Sequence, residues 1–445
     1  METQNIGNAT KSGTQVKVIT EPGYMKTVTD EFDSLGEVMQ SVEDLFPNNP
    51  YAWGDYSILV LPPSFPMGGM ENPLLTFASP TVIVGDKSQV YVAAHEMAHS
   101  WTGNTVTCAD WSNFWLNEGF TVYYERRSNI ARDGNEIIAL ESAFIGNQSA
   151  YTSMVGYGMW NSYSSLHPNV RDDLPDNSFS EIPYEKGFQF LWYIESLITR
   201  DHMTKMLDSY ISANKYTSVK WQVFQKHVKS YININFANAD EINGKIDWET
   251  WVYGPGLAPV PLNFTTEGLA DALVLVDQYI NGTAVTADAQ KKWTTVFKST
   301  TQTIFAQKLY TEFKNQGPTV FTKAIFEQID TDLNITGNIN PDVKQEWQPL
   351  GIMLGEKIVV NPAHYIVQNV GRMKYLGPIY KALLTTTEMV QLDAGPMKGM
   401  DVAKAWFAES YNFYSPYAQV QLARQIAAAE ANTSTYVENG LFLEA

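Results

Sequence analysis

The sequence predicts a mostly α-helical chain of the α+β class, with a mixed N-terminal part and an all-helical C-terminal part. A β-rich apolar run at residues 56–62 precedes segments in which apolar residues recur at helical spacing. Two glycines and three prolines interrupt this pattern at residues 253–264. Because only amphipathic helical stretches follow, we expect one domain at residues 1–254 and an all-helical domain at residues 262–445.

The N-terminal part is expected to place a buried strand before its helices. The run "YSILVLP" at residues 56–62 is typical of a buried strand, and the Gly- and Pro-rich segment at 64–75 of an irregular or edge segment. Helical spacing predicts one helix over residues 87–101 and a second from Trp115 to about residue 131. A third helix is expected to begin at Pro183, because proline suits the first helical turn.

Further helical segments are expected on both sides of the Gly- and Pro-rich interruption. Before it, residues 202–232 form one helical stretch. The amphipathic stretches after it are residues 267–280, 301–315, 319–332, 343–357 and 401–414. Their spacing predicts stacked helices, although the sequence contains no clean repeat.

Composition and charge argue against several classes of partner. The 445 residues carry a formal net charge of −18, whereas nucleic acids and anionic membranes bind basic surfaces. The chain has one cysteine, Cys108, so it cannot form an intrachain disulfide, and we expect a reducing compartment. The first twenty residues lack the apolar core of a signal peptide, and no apolar run is long enough to span a membrane. A cytoplasmic protein is therefore expected.

Two histidines one helical turn apart, in "HEMAH", predict a metal site. On a helix His95 and His99 share one face, and neutral imidazole is a preferred ligand of Zn²⁺. Glu96 would lie beside the open zinc position, as in the His-Glu-x-x-His pattern of zinc hydrolases. Glu118 begins the next helix and is the expected third ligand, and Glu125, two turns later, could orient a histidine. The alternative is a buried histidine pair satisfied by hydrogen bonds.

Three further segments could select the substrate, but the residues alone leave their roles open. Gly68 and Gly69 precede Glu71, which could bind a free α-amine or lie in a solvated turn. Tyr184 could stabilise an oxyanion, although nothing in its spacing distinguishes it from the other 23 tyrosines. In "GRMK", at residues 371–374, two basic side chains could bind a carboxylate, although such pairs are more often ordinary surface.

The order of six segments resembles peptidase family M1, and within it the leukotriene A-4 hydrolase branch. These segments are "GGMENP", "HEMAHSWTGN", "FWLNEGFTVYYER", "PYEKGF", "YGPGLAP" and "GRMK". The resemblance runs from about Val16 to the C-terminus and is densest over residues 52–126. It implies a thermolysin-like zinc catalytic domain followed by an armadillo-like helical domain.

The resemblance also implies a role for each matching residue. His95, His99 and Glu118 would bind one Zn²⁺ per chain, with Glu96 as the general base and Glu125 supporting a ligand histidine. The other implied roles are substrate binding for Gly68, Gly69, Met70, Glu71 and Asn72, oxyanion stabilisation for Tyr184, carboxylate binding for Arg372 and Lys374, and epoxide opening for Asp176.

The expected function is that of a monomeric zinc aminopeptidase acting on short peptides. The alternatives are an epoxide hydrolase acting on a leukotriene-like fatty acid and an inactive, truncated peptide-binding remnant. Family members carry a β-sheet domain before the catalytic domain, and the first 50 or so residues are too few to form one. These residues are expected to be the exit from that absent domain, so the chain would be a fragment, an incomplete gene model or a short form.

Overall fold

The computed structural model describes residues 1–431. The β-strands are β1 (Glu2–Ile6), β2 (Val16–Thr20), β3 (Tyr56–Val60), β4 (Gly69–Met70), β5 (Thr76–Ala78), β6 (Val106–Cys108), β7 (Thr217–Val219), β8 (Met389–Leu392) and β9 (Gly395–Lys398). The helices of the N-terminal part are α1 (Met25–Glu31), α2 (Leu35–Glu43), α3 (Val90–His99), α4 (Trp115–Asp133), α5 (Ile137–Tyr157), α6 (Ile182–Ile198), α7 (Arg200–Asn214), α8 (Trp221–Asn235), α9 (Ala239–Lys245) and α10 (Trp248–Tyr253).

The remaining helices form the C-terminal part. They are α11 (Glu267–Ile280), α12 (Ala287–Thr295), α13 (Ser299–Gln316), α14 (Lys323–Leu333), α15 (Pro341–Met353), α16 (Val360–Asn369), α17 (Met373–Thr385), α18 (Gly399–Ser410) and α19 (Pro416–Glu430). The predicted class, a mostly α-helical α+β chain, is confirmed.

A five-stranded mixed sheet opens the N-terminal part, in the order β1-β2-β3-β5-β4. Strand β3 pairs in parallel with β2 and β5, and its Ile58, Leu59 and Val60 are all buried, as its continuous apolar run predicts. Strand β4 lies at the edge and pairs antiparallel with β5. The Gly- and Pro-rich segment therefore forms an edge strand, as expected.

Helix α4 is the central element of the N-terminal part. Every residue from Trp115 to Ile130 is buried, so its charged side chains need buried partners. Arg126 forms two hydrogen bonds of 2.8 Å with Glu185 of α6. The next residue, Arg127, pairs with another α6 carboxylate, that of Glu195. These pairs allow a helix with a polar sequence to cross the middle of the core.

Gly119 permits close packing between α4 and α6. A Cβ atom at Gly119 would lie 2.6 Å from the Cα of Gly187. This close approach is to α6, the helix that carries Tyr184, and the three atoms nearest to such a Cβ all belong to that helix.

The two parts contain separate hydrophobic clusters, one from Ile6 to Phe264 and one from Ala272 to Ile426. Glu141 of α5 joins the two parts: its carboxylate accepts hydrogen bonds from the hydroxyls of Thr266, Thr300 and Thr301. The predicted domain limits stay a prediction, and residues 432–445 of the second domain lie outside the described residues.

Several elements of the N-terminal part differ from the sequence predictions, and α1, α2, α9 and α10 were not predicted. Helix α5 was missed because its apolar residues are not confined to one face. The single stretch predicted at 202–232 is two helices, α7 and α8, separated by β7. Tyr216, whose φ is 60°, turns the chain between them. In the C-terminal part, α12, α16, α17, α19 and the β8–β9 hairpin were not predicted.

Within residues 1–431, no helix is both long and apolar enough to cross a membrane.

Replacing Gly119 by alanine should destabilise the protein. The added methyl group would meet the backbone of Gly187 rather than a flexible side chain, so the free energy of unfolding should fall by about 1–3 kcal/mol. Urea unfolding followed by circular dichroism measures this change. Gly244→Ala is the control, since a Cβ there meets no atom within 4 Å, and alanine favours the helix. Equal midpoints for parent and Gly119→Ala would contradict the packing argument.

Candidate zinc site

The three predicted ligands lie together where α3 crosses α4. The Nε2 atoms of His95 and His99 are 3.0 Å apart. Glu118 Oε2 lies 3.4 Å from the His95 Nε2 atom and 3.3 Å from that of His99. Both histidines therefore share one helix face, as the spacing predicted, and Glu118 faces them from the first turn of α4.

The donor set and its spacing fit a zinc ion. Ligands held tetrahedrally at zinc–nitrogen and zinc–oxygen distances of about 2.0–2.1 Å lie roughly 3.3 Å from one another. The three separations at this site are close to that value. Glu118 Oε2 is also buried and has no hydrogen-bond partner among the described residues. A buried carboxylate oxygen without a donor is costly, and a cation would satisfy it.

Hydrogen bonds at the other ring nitrogens direct both Nε2 atoms towards the site. His95 Nδ1 lies 3.2 Å from Glu125 Oε2. His99 Nδ1 lies 2.9 Å from the carbonyl oxygen of Thr102, which can only accept a hydrogen bond. Protonated Nδ1 atoms leave the Nε2 lone pairs available for a metal. Glu125 therefore lies where the sequence predicted, whereas the contribution of Thr102 is a backbone contact that side-chain motifs cannot reveal.

The charges of the site stabilise a cation. Burial alone lowers the pKa of His99, but the carboxylates of Glu71 and Glu118 outweigh it and raise that pKa to about 9. Burial raises the pKa of Glu118, but the two histidines bring it down to about 2. The carboxylates around this position therefore stabilise a positive charge there.

Glu96 lies beside the ligands rather than among them. Only 5% of the residue is exposed, its Oε2 has no hydrogen-bond partner among the described residues, and burial raises its pKa to about 8. Strand β4 packs directly on it, since a Cβ at Gly69 would lie 2.2 Å from Glu96 Oε1. The edge strand can approach the carboxylate this closely only because residue 69 is a glycine.

The site opens into a cavity of about 790 Å³. Gly68, Gly69, Met70 and Glu71 line one wall, and Asn104 Nδ2 donates to the Glu71 carbonyl oxygen at 2.7 Å. Of the predicted substrate-binding residues in this segment, Asn72 lies outside the cavity wall.

Tyr184 also lines the cavity. Its ring centroid lies 6.1 Å from that of His95, and it packs on Phe114 and Phe179. Burial raises the pKa of Tyr184 well above its usual range, so its hydroxyl stays protonated and can donate a hydrogen bond.

Asp176 lies in a more open part of the cavity wall. It belongs to the short 3₁₀-helix Pro175–Ser178, and its side chain is exposed. Asp176 thus lines the same cavity as the zinc site but does not share the burial of Glu96 and Glu118.

Arg372 and Lys374 line the cavity from the C-terminal part, and the suggestion that they are ordinary surface residues is wrong. Only 4% of Arg372 is exposed, and its guanidinium lies against Gly68, where a Cβ would be 2.5 Å from Nη2. Lys374 Nζ forms an ion pair of 2.9 Å with Asp342. No sequence pattern reveals Asp342, which lies 32 positions before Lys374 in the first turn of α15.

Two family models match the chain. The Peptidase family M1 domain matches residues 31–251, and the model described as Leukotriene A4 hydrolase, C-terminal, matches residues 297–426. The three candidate zinc ligands and Tyr184 lie within the first match, and Arg372 and Lys374 lie within the second.

Among curated proteins the chain is similar to aminopeptidases and to a hydrolase. It is 36% identical to leucine aminopeptidase 2 of Ajellomyces capsulatus, covering 83% of this chain and 58% of that protein. It is 34% identical to leukotriene A-4 hydrolase of Xenopus laevis, covering 84% of this chain and 59% of that protein. The chain therefore spans less than two thirds of the length of these relatives.

A solved structure shares the fold across both parts. The structure of yeast LTA4 hydrolase in complex with bestatin matches with a TM-score of 0.81 and 28% identity. The match covers 95% of this chain and 67% of the yeast chain.

Replacing Glu125 by glutamine should weaken zinc binding. The amide removes the negative charge that holds the His95 ring, and loss of such a partner typically costs about 10- to 100-fold in metal affinity. Competition with a chromogenic chelator gives the dissociation constant. Glu241→Gln is the matched control, since Glu241 is an exposed carboxylate paired with Lys245. If both variants bound zinc as the parent does, Glu125 would have no supporting role.

Proposed function

Because the chain belongs to peptidase family M1, as its six sequence segments predicted, we propose that it is a zinc aminopeptidase removing N-terminal residues from short peptides. The observation that carries this proposal is the convergence of His95, His99 and Glu118 beside the buried carboxylate of Glu96. One such group of possible metal ligands occurs within residues 1–431, so we infer one Zn²⁺ per chain.

Glu96 acts as the general base. When bound at the His95, His99 and Glu118 position, Zn²⁺ supplies Lewis acidity, polarising a carbonyl group and making water more acidic. Glu96 takes a proton from the attacking water and later passes it to the leaving amine. Burial raises the pKa of the Glu96 carboxyl, which makes this carboxylate a stronger base than an exposed one.

Glu71 and Tyr184 fix the substrate and stabilise the charge that develops. Glu71 binds the free α-amine of the peptide, and this contact limits cleavage to the first peptide bond. Tyr184 donates a hydrogen bond to the oxyanion of the tetrahedral intermediate. Gly68 and Gly69 offer backbone groups along the same wall, while Arg372 receives the carboxylate at the other end of a short peptide.

The alternative activities have less support. The relatives named leucine aminopeptidase 2 favour peptide hydrolysis over epoxide opening. A peptide-binding remnant would have no use for Glu96. A monomeric state and a cytoplasmic location stay predictions; the single cysteine is what supports the second of them.

Replacing Glu96 by glutamine should abolish peptide hydrolysis and leave zinc bound. The amide keeps the size of the side chain but cannot accept the proton, so hydrolysis of aminoacyl anilides should fall at least about 1000-fold. Zinc content is measured by atomic absorption on the same samples. The control is the exposed Glu37→Gln, and a chelator should silence both control and parent. Hydrolysis by Glu96→Gln at the parent rate would contradict the assignment of the base.

A further inference from the structure

Asp342 gathers four hydrogen-bond donors at the boundary between the two parts of the chain. Its carboxylate accepts from Gln89 Nε2 at 2.9 Å and from Tyr91 OH at 3.4 Å, both near the start of α3. It also accepts from Tyr375 OH at 3.0 Å and pairs with Lys374 Nζ at 2.9 Å. The side chains of Asp342 and Lys374 are only 14% and 21% exposed, so water screens this ion pair weakly.

Asp342 is ionised. Burial alone would raise the pKa of Asp342, but the charge and hydrogen bond of Lys374 bring it to about 2. Its place in the first turn of α15 adds the favourable field of a helix N-terminus. The same pair raises the pKa of Lys374 well above its usual range, although burial opposes this. The two side chains are therefore a charged pair in the cavity wall.

Arg372, in contrast, contacts hydroxyl groups rather than a carboxylate. Its Nη1 lies 3.2 Å from Thr81 Oγ1 and 3.5 Å from Tyr375 OH. Its Nε is buried and has no hydrogen-bond partner among residues 1–431. The Arg372 guanidinium therefore has an N–H group left to donate to an anion. The ammonium of Lys374, in contrast, is already paired with Asp342.

We propose that Asp342 determines the specificity for the C-terminal end of the peptide by competing with the substrate for Lys374. The site then binds a peptide through its terminal carboxylate, and a second carboxylate on the last side chain adds no affinity. This inference rests on the proposed peptidase function. Arg372, Lys374 and Asp342 are two cations and one anion, with a net charge of +1 rather than +2. A single carboxylate on Arg372 neutralises that charge. A second carboxylate, from a C-terminal aspartate or glutamate, would meet Asp342 and be repelled.

The test measures binding by titration calorimetry in the zinc-loaded Glu96→Gln protein, which should not consume the ligand. The ligands are tri-alanine, tri-alanine amide, and tripeptides ending in glutamine or glutamate. In the protein with Asp342 intact, the peptide ending in glutamate should bind no tighter than the one ending in glutamine. Adding Asp342→Asn frees Lys374. The ratio of the affinities for tri-alanine and tri-alanine amide should then rise roughly 10-fold, and the affinity for the peptide ending in glutamate should rise by a similar factor.

Asp332→Asn is the matched control in the same background. Asp332 also accepts a tyrosine hydroxyl, from Tyr279 at 3.0 Å, but lies outside the cavity wall, so its replacement should leave the acid-to-amide ratio at the parent value.

The outcomes separate the two proposals. An acid-to-amide ratio that stays constant or falls in Asp342→Asn, while peptides still bind, overturns the role of Asp342 and leaves the peptidase proposal in place. If Asp342→Asn does not fold, the protein with Asp342 intact still tests the inference. Binding of the glutamate peptide about 10-fold tighter than the glutamine peptide would overturn it. If the intact protein binds none of the peptides, the peptidase proposal fails, and this inference fails with it.

Discussion

The N-terminal part depends on one constraint. The two histidine Nε2 atoms and the Glu118 Oε2 atom lie within 3.4 Å of one another in a buried place. Two imidazoles and a carboxylate stay this close only under two conditions. The helices that carry them must be fixed relative to each other, and a cation must compensate the buried negative charge. Burial of α4 along nearly its whole length meets the first condition. The polar residues of α4 then require the Arg126–Glu185 and Arg127–Glu195 pairs, which tie α4 to α6.

The same packing brings the other candidate catalytic side chains close to the three candidate zinc ligands. Gly119 allows α6 to approach α4 closely, and α6 begins with the segment that carries Tyr184. Gly69 allows an edge strand to touch Glu96, which removes this carboxylate from water. Glycine is thus needed at both positions because neighbouring atoms come too close for a side chain, and not because the chain turns there. Through these two contacts, the candidate catalytic residues of α3, α4 and α6 and the residues of β4 line one cavity.

Local patterns in the sequence predicted what depends on local geometry. The histidine pair and the helices from Val90 and Trp115 follow from helical spacing, since residues four apart share a face. The resemblance to a family supplied Glu71 and Tyr184, which spacing alone could not distinguish. The partnership of Asp342 with Lys374 could not be predicted, because it depends on how helices distant in sequence pack together. Helix α5 escaped prediction because its apolar residues lie on exposed as well as buried faces, as Ile137, Tyr151 and Val155 show, so its sequence has no apolar stripe.

X-ray absorption at the zinc edge, on the parent and on His95→Ala, tests the central claim most directly. We expect the parent to bind one zinc ion with the scattering of two imidazoles, and the variant to lose one imidazole and most of its zinc affinity. Zinc bound by His95→Ala as tightly as by the parent, with an unchanged spectrum, would contradict it. The metal would then lie elsewhere in the protein, and the arrangement of α3, α4 and α6 would have another cause.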